Sequence, residues 1–141
     1  MTWTNGMKGS FLVLILSLLA YSWVLYLLYW PVEVFRFNSR VNPIQPVYIG
    51  QMMYYNMDVT KKVPIVCMVT KQLISEKMTI TLGTLMSNID VGDHKRISRV
   101  MIDSAVPPNK YKFRWTAVYP VNFMRKEIIV SESDWFEVLK K

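Results

Sequence analysis

The chain has 141 residues, a hydrophobic fraction of 52% and a formal net charge of +7, with one cysteine and one histidine. This length supports one modest hydrophobic core and is too short for two once a membrane segment is set aside. A single cysteine excludes an intramolecular disulfide, and the small number of histidine and cysteine residues leaves little material for a metal site.

Residues 11–30 form twenty consecutive positions without a charge. As a helix they would span about 30 Å, the thickness of the hydrocarbon core of a bilayer. The run is longer than the apolar core of a signal peptide, and small residues of a cleavage site do not follow it. We therefore predict a retained transmembrane helix over 11–30, preceded by an N-terminal tail over 1–10, with Tyr26, Tyr29 and Trp30 at the membrane interface.

The charges that flank the predicted helix are nearly balanced and do not set its direction. Lys8 lies before it, and Arg36 and Arg40 lie after it. A long domain that follows a membrane helix usually crosses regardless of such a small bias. We predict a single-pass protein of the bacterial inner membrane, with a cytoplasmic N-terminus and a C-terminal domain that is periplasmic or extracellular. The lipid bilayer is its first expected partner.

Residues 31–46 are predicted to be a juxtamembrane connector. Pro31 ends the helix because it cannot continue the hydrogen-bond ladder, and a short alternating segment follows it. Pro43 and Pro46 then interrupt any regular structure. The connector is short, so we expect the domain to lie near the bilayer.

Residues 47–141 are predicted to form an antiparallel, immunoglobulin-like β-sandwich of about seven or eight strands, with a barrel as the alternative. The clearest strand is 111–119, where apolar and polar residues alternate with the period of two that is typical of one buried face. We expect loops over 87–94 and 105–109. The predicted strands are 47–59 (with Gly50 as a bend), 65–74, 77–82, 96–103 and 111–119, and the segments 126–130 and 135–138 supply one more strand or a broken pair.

Tyr111 is the candidate for a tyrosine corner. Immunoglobulin-like domains carry a tyrosine near the start of the penultimate strand, and its hydroxyl bonds to the backbone a few residues upstream. Tyr111 is placed for that role. An ordinary core tyrosine is the alternative interpretation. The cysteine pair of antibody domains is missing, which disfavours that subclass.

The cations occur in four short groups, at 61–62, 95–99, 110–114 and 125–126. No group reaches five like charges. We favour solvated strand faces and turns, with a patch that faces lipid or a partner as the alternative. Nucleic acid is not an expected partner.

The sequence predicts no catalytic site, no cofactor and no metal. His94 is expected to be a solvated surface residue, and Cys67, in an apolar run, a buried small hydrophobe. Asp90, Asp93 and Asp103 lack the remaining ligands of a calcium loop. The chain also has no phosphate-binding loop or zinc spacing, so we do not expect an enzyme.

Four aromatic residues allow two interpretations. Tyr54, Tyr55, Trp115 and Tyr119 would suit a recognition groove, since aromatics dominate binding hot spots. Large aromatics in a small sandwich are more often its core, and we favour the core.

Several segments together resemble those of small tailed-phage or prophage membrane proteins that have one N-terminal span and an immunoglobulin-like outer domain. The segments are WPVEVFRFN (30–38), PPNKYKF (107–113), YPVNFMR (119–125) and WFEV (135–138). Toward the end of the chain, the positions that match are Tyr119, Val121, Asn122, Arg125 and Phe136. The resemblance implies this fold and location, and it implies no assigned activity.

These expectations together favour a membrane-anchored, non-catalytic binding or interaction module at the cell envelope, whose partner is an envelope or phage protein. The alternative is a structural component that self-associates into an envelope assembly, a fibre or part of a virion membrane. A pilin-like subunit is less favoured. GSFLVLIL (9–16) is similar to the start of such proteins, but the glutamate expected early in their helix is missing.

Overall fold

The computed structural model describes residues 5–30 and 32–141, with side chains from residue 9 in the helix. The described residues divide into two compact units. One unit holds the N-terminal helix and residues 121–125, and the other holds residues 33–120 and 126–141. The second unit is the β domain.

The first unit is built on α1, Asn5–Tyr29, which confirms the predicted apolar N-terminal helix. The helix begins earlier than predicted, so residues 5–10 of the expected tail are helical. Gly9–Tyr29 has a mean hydropathy of 2.4, and its side chains are not buried within the protein. This segment is long and apolar enough to cross a membrane, as an anchor or as a signal sequence. Pro31, expected to end the helix, lies outside the described residues.

Nine strands occur in the described part of the chain. They are β1 Phe35–Phe37, β2 Val47–Tyr48, β3 Met52–Lys61, β4 Cys67–Ile74, β5 Thr79–Ser87, β6 Gly92–Met101, β7 Asn109–Asn122, β8 Arg125–Glu132 and β9 Phe136–Leu139.

The strands form two sheets among the described residues. The first has the order β1-β3-β6, and both of its pairings are antiparallel. The second has the order β2-β9-β7-β4-β5, and β8 also pairs with β7. Within it β2 runs parallel to β9, whereas β4–β5, β4–β7 and β7–β9 are antiparallel. The prediction of one helix plus an all-β domain is therefore confirmed. The β domain is built from two sheets and has a curled sheet that resembles half of a barrel.

The core draws on both sheets and combines valines with large aromatic side chains. The alternation predicted in β7 is present: Tyr111, Phe113, Trp115, Ala117 and Tyr119 are all buried. Rings from the first sheet pack on rings from β7. Phe35 stacks on Trp115 at 5.6 Å between ring centroids, and Tyr55 lies 4.8 Å from Phe113. These ring contacts join the first sheet to the second.

The predicted connector is not a separate segment, because residues 33–46 belong to the β unit. β1 pairs with β3, and Val34 and Val41 are completely buried. Pro43 makes an isolated bridge with Tyr55. Val34, Phe35 and Val41 are therefore part of the buried core, and the two prolines lie at the margin of a sheet, where proline is tolerated.

Two predicted strand boundaries also differ from the structure. The predicted strand 47–59 is divided by a turn at Gly50, whose φ of +72° is the left-handed conformation that favours glycine. The predicted loop 87–94 ends early, because the pairing of β6 with β3 extends back to Gly92. Polar residues can occupy a strand when one side of it faces solvent.

Candidate functional site

The predicted membrane-interface residues lie together at the C-terminal end of α1. Tyr26, Tyr29 and Trp30 are 45%, 74% and 55% exposed. The ring of Tyr26 lies 4.9 Å from that of Trp30 and 5.6 Å from that of Trp23. Amphipathic rings at one end of an apolar helix are typical of the headgroup region. Their placement suits the role that the sequence predicts for them.

Two side chains near the β7–β8 turn bind the same end of the helix. Asn122 Nδ2 donates to the carbonyl of Leu27 at 2.6 Å. The Arg125 guanidinium donates to the carbonyl of Leu28 and, at 2.6 Å, to that of Trp30. Carbonyls in the last turn of a helix have no intrahelical donor, and a cation there also complements the helix dipole. Sequence reasoning missed this role, since the contacts join residues about 95 positions apart.

Tyr111 lies near the start of β7, and its side chain is completely buried. Its hydroxyl donates to the carbonyl of Pro107 at 2.8 Å, four residues upstream. Burial raises the pKa of this phenol above its ordinary value, at which the hydroxyl is already protonated and able to donate at neutral pH. The residue thus links the loop 105–109 to the core.

A cleft of about 330 Å³ opens between the two sheets on the side of β5 and β6. Among the described residues, β5 is an edge strand of the second sheet and β6 is an edge strand of the first, so each pairs along one side only. Both contribute to the walls, β5 through Leu85 and Ser87 and β6 through the segment 96–99. Backbone donors and acceptors on the free edges of strands are available to a further strand.

The strand register shows which side chains point into the cleft from the core layer. Residues directly opposite each other in a sheet lie on the same face. Arg96 is opposite the buried Met57, and Ser98 is opposite the buried Tyr55. Lys71 is opposite Trp115, and its Nζ lies 5.6 Å from the centroid of the Tyr55 ring. Polar and basic groups therefore occupy the inner face at this opening.

The charge of the cleft has one sign. Lys71, Arg96 and Arg99 line it, and no aspartate or glutamate does so among the described residues. The structure gives Arg96 and Arg99 no ion pair with any described carboxylate. Leu85 and Ile97, 46% and 63% exposed, add apolar surface. A ligand with carboxylates and apolar side chains is complementary to this surface.

The other groups of cations are engaged differently. Lys61 is 2% exposed, contrary to the expectation of a solvated turn, and its Nζ donates to the carbonyl of Ile89 at 2.6 Å. Glu33 pairs with both Lys62 and Arg36. These two cations, chiefly Arg36, lower the pKa of the Glu33 carboxyl. In the group 110–114, Lys110 pairs with Glu137, Lys112 stacks over Trp135 and Arg114 pairs with Glu132.

The candidate nucleophile and metal ligands are not assembled into a site. Cys67 is buried, as predicted, and burial raises the pKa of its thiol, although the charge of Lys61 opposes this shift. His94 lies in β6 rather than in a loop, and its Nε2 is 2.7 Å from the carbonyl of Asp90. Among the described residues, no three histidine, cysteine, aspartate or glutamate side chains are close enough to hold a metal ion.

The four aromatic residues are divided between core and surface. Tyr55, Trp115 and Tyr119 are buried, as favoured, and Tyr54 is 46% exposed. Burial is also the main cause that raises the pKa of Tyr119. Tyr54, Tyr55 and Trp115 all line the cleft, so the groove and core interpretations each describe part of the set.

Comparisons with known proteins do not add to these observations. The sequence matches no protein-family model, and it has no significant similarity to a curated protein.

Proposed function

We propose that this chain is a membrane-anchored, non-catalytic binding module that holds an acidic, extended segment of a partner protein in the cleft between β5 and β6. The composition of the cleft carries the proposal. Three cations, exposed apolar side chains and two free strand edges meet there, without a carboxylate among the described residues. Addition of a strand to a free edge is a common mode of peptide recognition.

The charge of β6 favours a partner of opposite charge over a second copy at this edge. Lys95, Arg96 and Arg99 lie along the strand. Two copies paired edge to edge through β6 would bring these cations together, and cations on an edge strand are a known device against self-pairing. An acidic segment would instead neutralise them.

The test is binding of short synthetic peptides to the full chain in phosphatidylcholine nanodiscs. We expect a peptide of alternating glutamate and valine to bind, and to bind more weakly at high salt because the charges are exposed. A lysine–valine peptide should not bind. A glutamate–valine peptide interrupted by proline should bind poorly, since proline removes a donor that strand addition needs.

Charge reversal in the cleft gives the decisive comparison. We expect the double variant Arg96→Glu and Arg99→Glu to bind the acidic peptide about ten-fold more weakly, or about 1.4 kcal/mol. The matched control is Lys140→Glu with Lys141→Glu, which changes the net charge equally at exposed positions outside the cleft. Equal affinity of the two double variants would refute the proposed site.

We propose that the β domain is immunoglobulin-like, and three observations support this assignment. The sheet orders β1-β3-β6 and β9-β7-β4-β5 correspond to strands A-B-E and G-F-C-C′ of that fold. β2 runs parallel to the last strand, β9, in the second sheet. The hydrogen bond from Tyr111 to Pro107 has the arrangement of a tyrosine corner.

We also propose that α1 is a retained anchor in the bacterial inner membrane, with the β domain periplasmic or extracellular. The apolar run, its aromatic end and the polar contacts of that end with residues 121–125 support an anchor that stays attached. The resemblance described above supports a phage or prophage origin. Under this proposal the partner is an envelope or phage protein.

Self-assembly is the second candidate function, and β5 is the feature that favours it. This edge strand carries no charged residue, and Leu85 and Met86 are 46% and 67% exposed. An uncharged edge with apolar side chains is suited to pairing with a second copy. The test is sedimentation of the detergent-solubilised chain: a dimer that Thr84→Lys converts to a monomer would support this candidate, and a monomer at high concentration would exclude it.

A further inference from the structure

We infer that the β7–β8 turn is a second lipid contact, which inserts Phe123 and Met124 into the membrane interface beside the C-terminal end of α1. The inference rests on the proposed role of α1 as a membrane anchor. It assigns a binding function to a turn that the proposed partner cleft does not use.

The composition of the turn is the first observation. Phe123 is 87% exposed and Met124 is 44% exposed. Two-residue hairpin loops usually carry asparagine and glycine, whereas this one carries two large apolar side chains. Asn122 stabilises the loop from outside, since its Oδ1 accepts from the Met124 amide at 2.8 Å. The apolar pair is therefore displayed by the turn rather than packed within it.

The position of the turn is the second observation, because it belongs to the same compact unit as α1. Asn122 and Arg125, on either side of the apolar pair, donate to the carbonyls of Leu27, Leu28 and Trp30. These carbonyls lie at the end of the helix that carries the interfacial rings. If α1 spans the bilayer, the tip of the turn is at headgroup depth.

The physical chemistry of the interface suits this set of side chains. An exposed phenylalanine loses contact with water on entering the lipid, which is favourable. The arginine keeps its charge at the polar boundary and donates to backbone carbonyls in the last turn of the helix, which have no intrahelical donor. Asn122 and Arg125 act here as positioning residues for the apolar tip.

The test places an environment-sensitive fluorophore at the tip of the full chain in phosphatidylcholine nanodiscs. Phe123→Cys carries the label, and a label on Leu19→Cys reports whether α1 is in the bilayer. The wild-type chain, whose cysteine is buried, is the blank for labelling. We expect the label at 123 to be quenched by lipids that carry a nitroxide near the headgroup and to be protected from iodide in the water.

The two labels separate failure of this inference from failure of the anchor. In one outcome, the label at 19 is quenched by a nitroxide deep in the bilayer while the label at 123 is quenched by iodide and not by lipid nitroxides. That result refutes the second lipid contact and leaves the anchor in place. If neither label is quenched by lipid, the anchor and the inference both fall.

Charge-matched variants test the positioning role. Arg125→Gln should reduce the lipid quenching of the label at 123, because the tip loses its bonds to the helix end. Lys126→Gln removes a neighbouring exposed cation and should leave the quenching unchanged in neutral lipid. Equal quenching in both variants and in the parent would refute the role of Arg125.

Discussion

At the scale of single residues, several buried polar side chains make defined hydrogen bonds to the backbone. Tyr111 donates to Pro107, Lys61 donates to Ile89, and Ser133 both accepts from the Phe113 amide and donates to the Asp134 carbonyl. Such bonds contribute modestly when made and are costly to leave half-made. Their removal is therefore measurable one at a time.

The first prediction concerns the hydroxyl of Tyr111. Tyr111→Phe keeps the buried ring and removes the donor to Pro107, so we expect a loss of about 1 kcal/mol in the free energy of unfolding. Urea unfolding of the full chain in detergent, followed by circular dichroism, measures it. Tyr54→Phe is the control, since its side chain is half-exposed and should change little. An equal effect of both substitutions would contradict the structural role of the Tyr111 hydroxyl.

At the scale of elements, period-two alternation predicted β7 well because one face of that strand is buried throughout. The same logic could not find the full extent of β6, where His94, Arg96 and Ser98 point to the core side as polar residues. Arg96 and Ser98 line the cleft, which leaves this part of the inner face open to water. The cleft depends on which strands end each sheet, and local sequence does not encode that directly.

The second prediction concerns two glycines in different backbone conformations. Gly50→Ala should destabilise the turn between β2 and β3 by about 1 kcal/mol, because its φ is +72°. Gly83→Ala, in β5, should be neutral or slightly stabilising, since a Cβ there meets no atom within 4 Å and φ is not positive. The midpoint of thermal unfolding distinguishes them. Similar decreases in the unfolding midpoint for both variants would contradict the left-handed turn at Gly50.

At the scale of the whole molecule, composition was enough to predict one apolar helix followed by a β domain. The apolar run is recognisable from its length and lack of charge, and the alternating strand from its period of two. The bonds from Asn122 and Arg125 to the helix end could not be predicted, because they join residues about 95 positions apart and have no periodic signature. The same holds for residues 33–46, whose burial depends on pairing with β3.

The third prediction concerns the orientation of the chain in the bacterial inner membrane. Ser104→Cys, in an exposed loop of the β unit, should react with a membrane-impermeant maleimide in spheroplasts before lysis. Thr2→Cys should react only after lysis if the N-terminus is cytoplasmic. The wild-type chain should stay unlabelled while folded, since Cys67 is buried and its raised pKa leaves little thiolate. The reverse labelling pattern would invert the proposed topology.

The place of Trp115 gives the molecule a built-in optical reporter. Its indole is 3% exposed and forms part of the wall of the cleft, whereas Trp23, Trp30 and Trp135 are each about half-exposed or more. A segment that enters the cleft displaces water next to this ring, so its emission should move toward the blue. Occupancy could then be followed without any dye, provided that the other four tryptophans of the sequence are first replaced by phenylalanine.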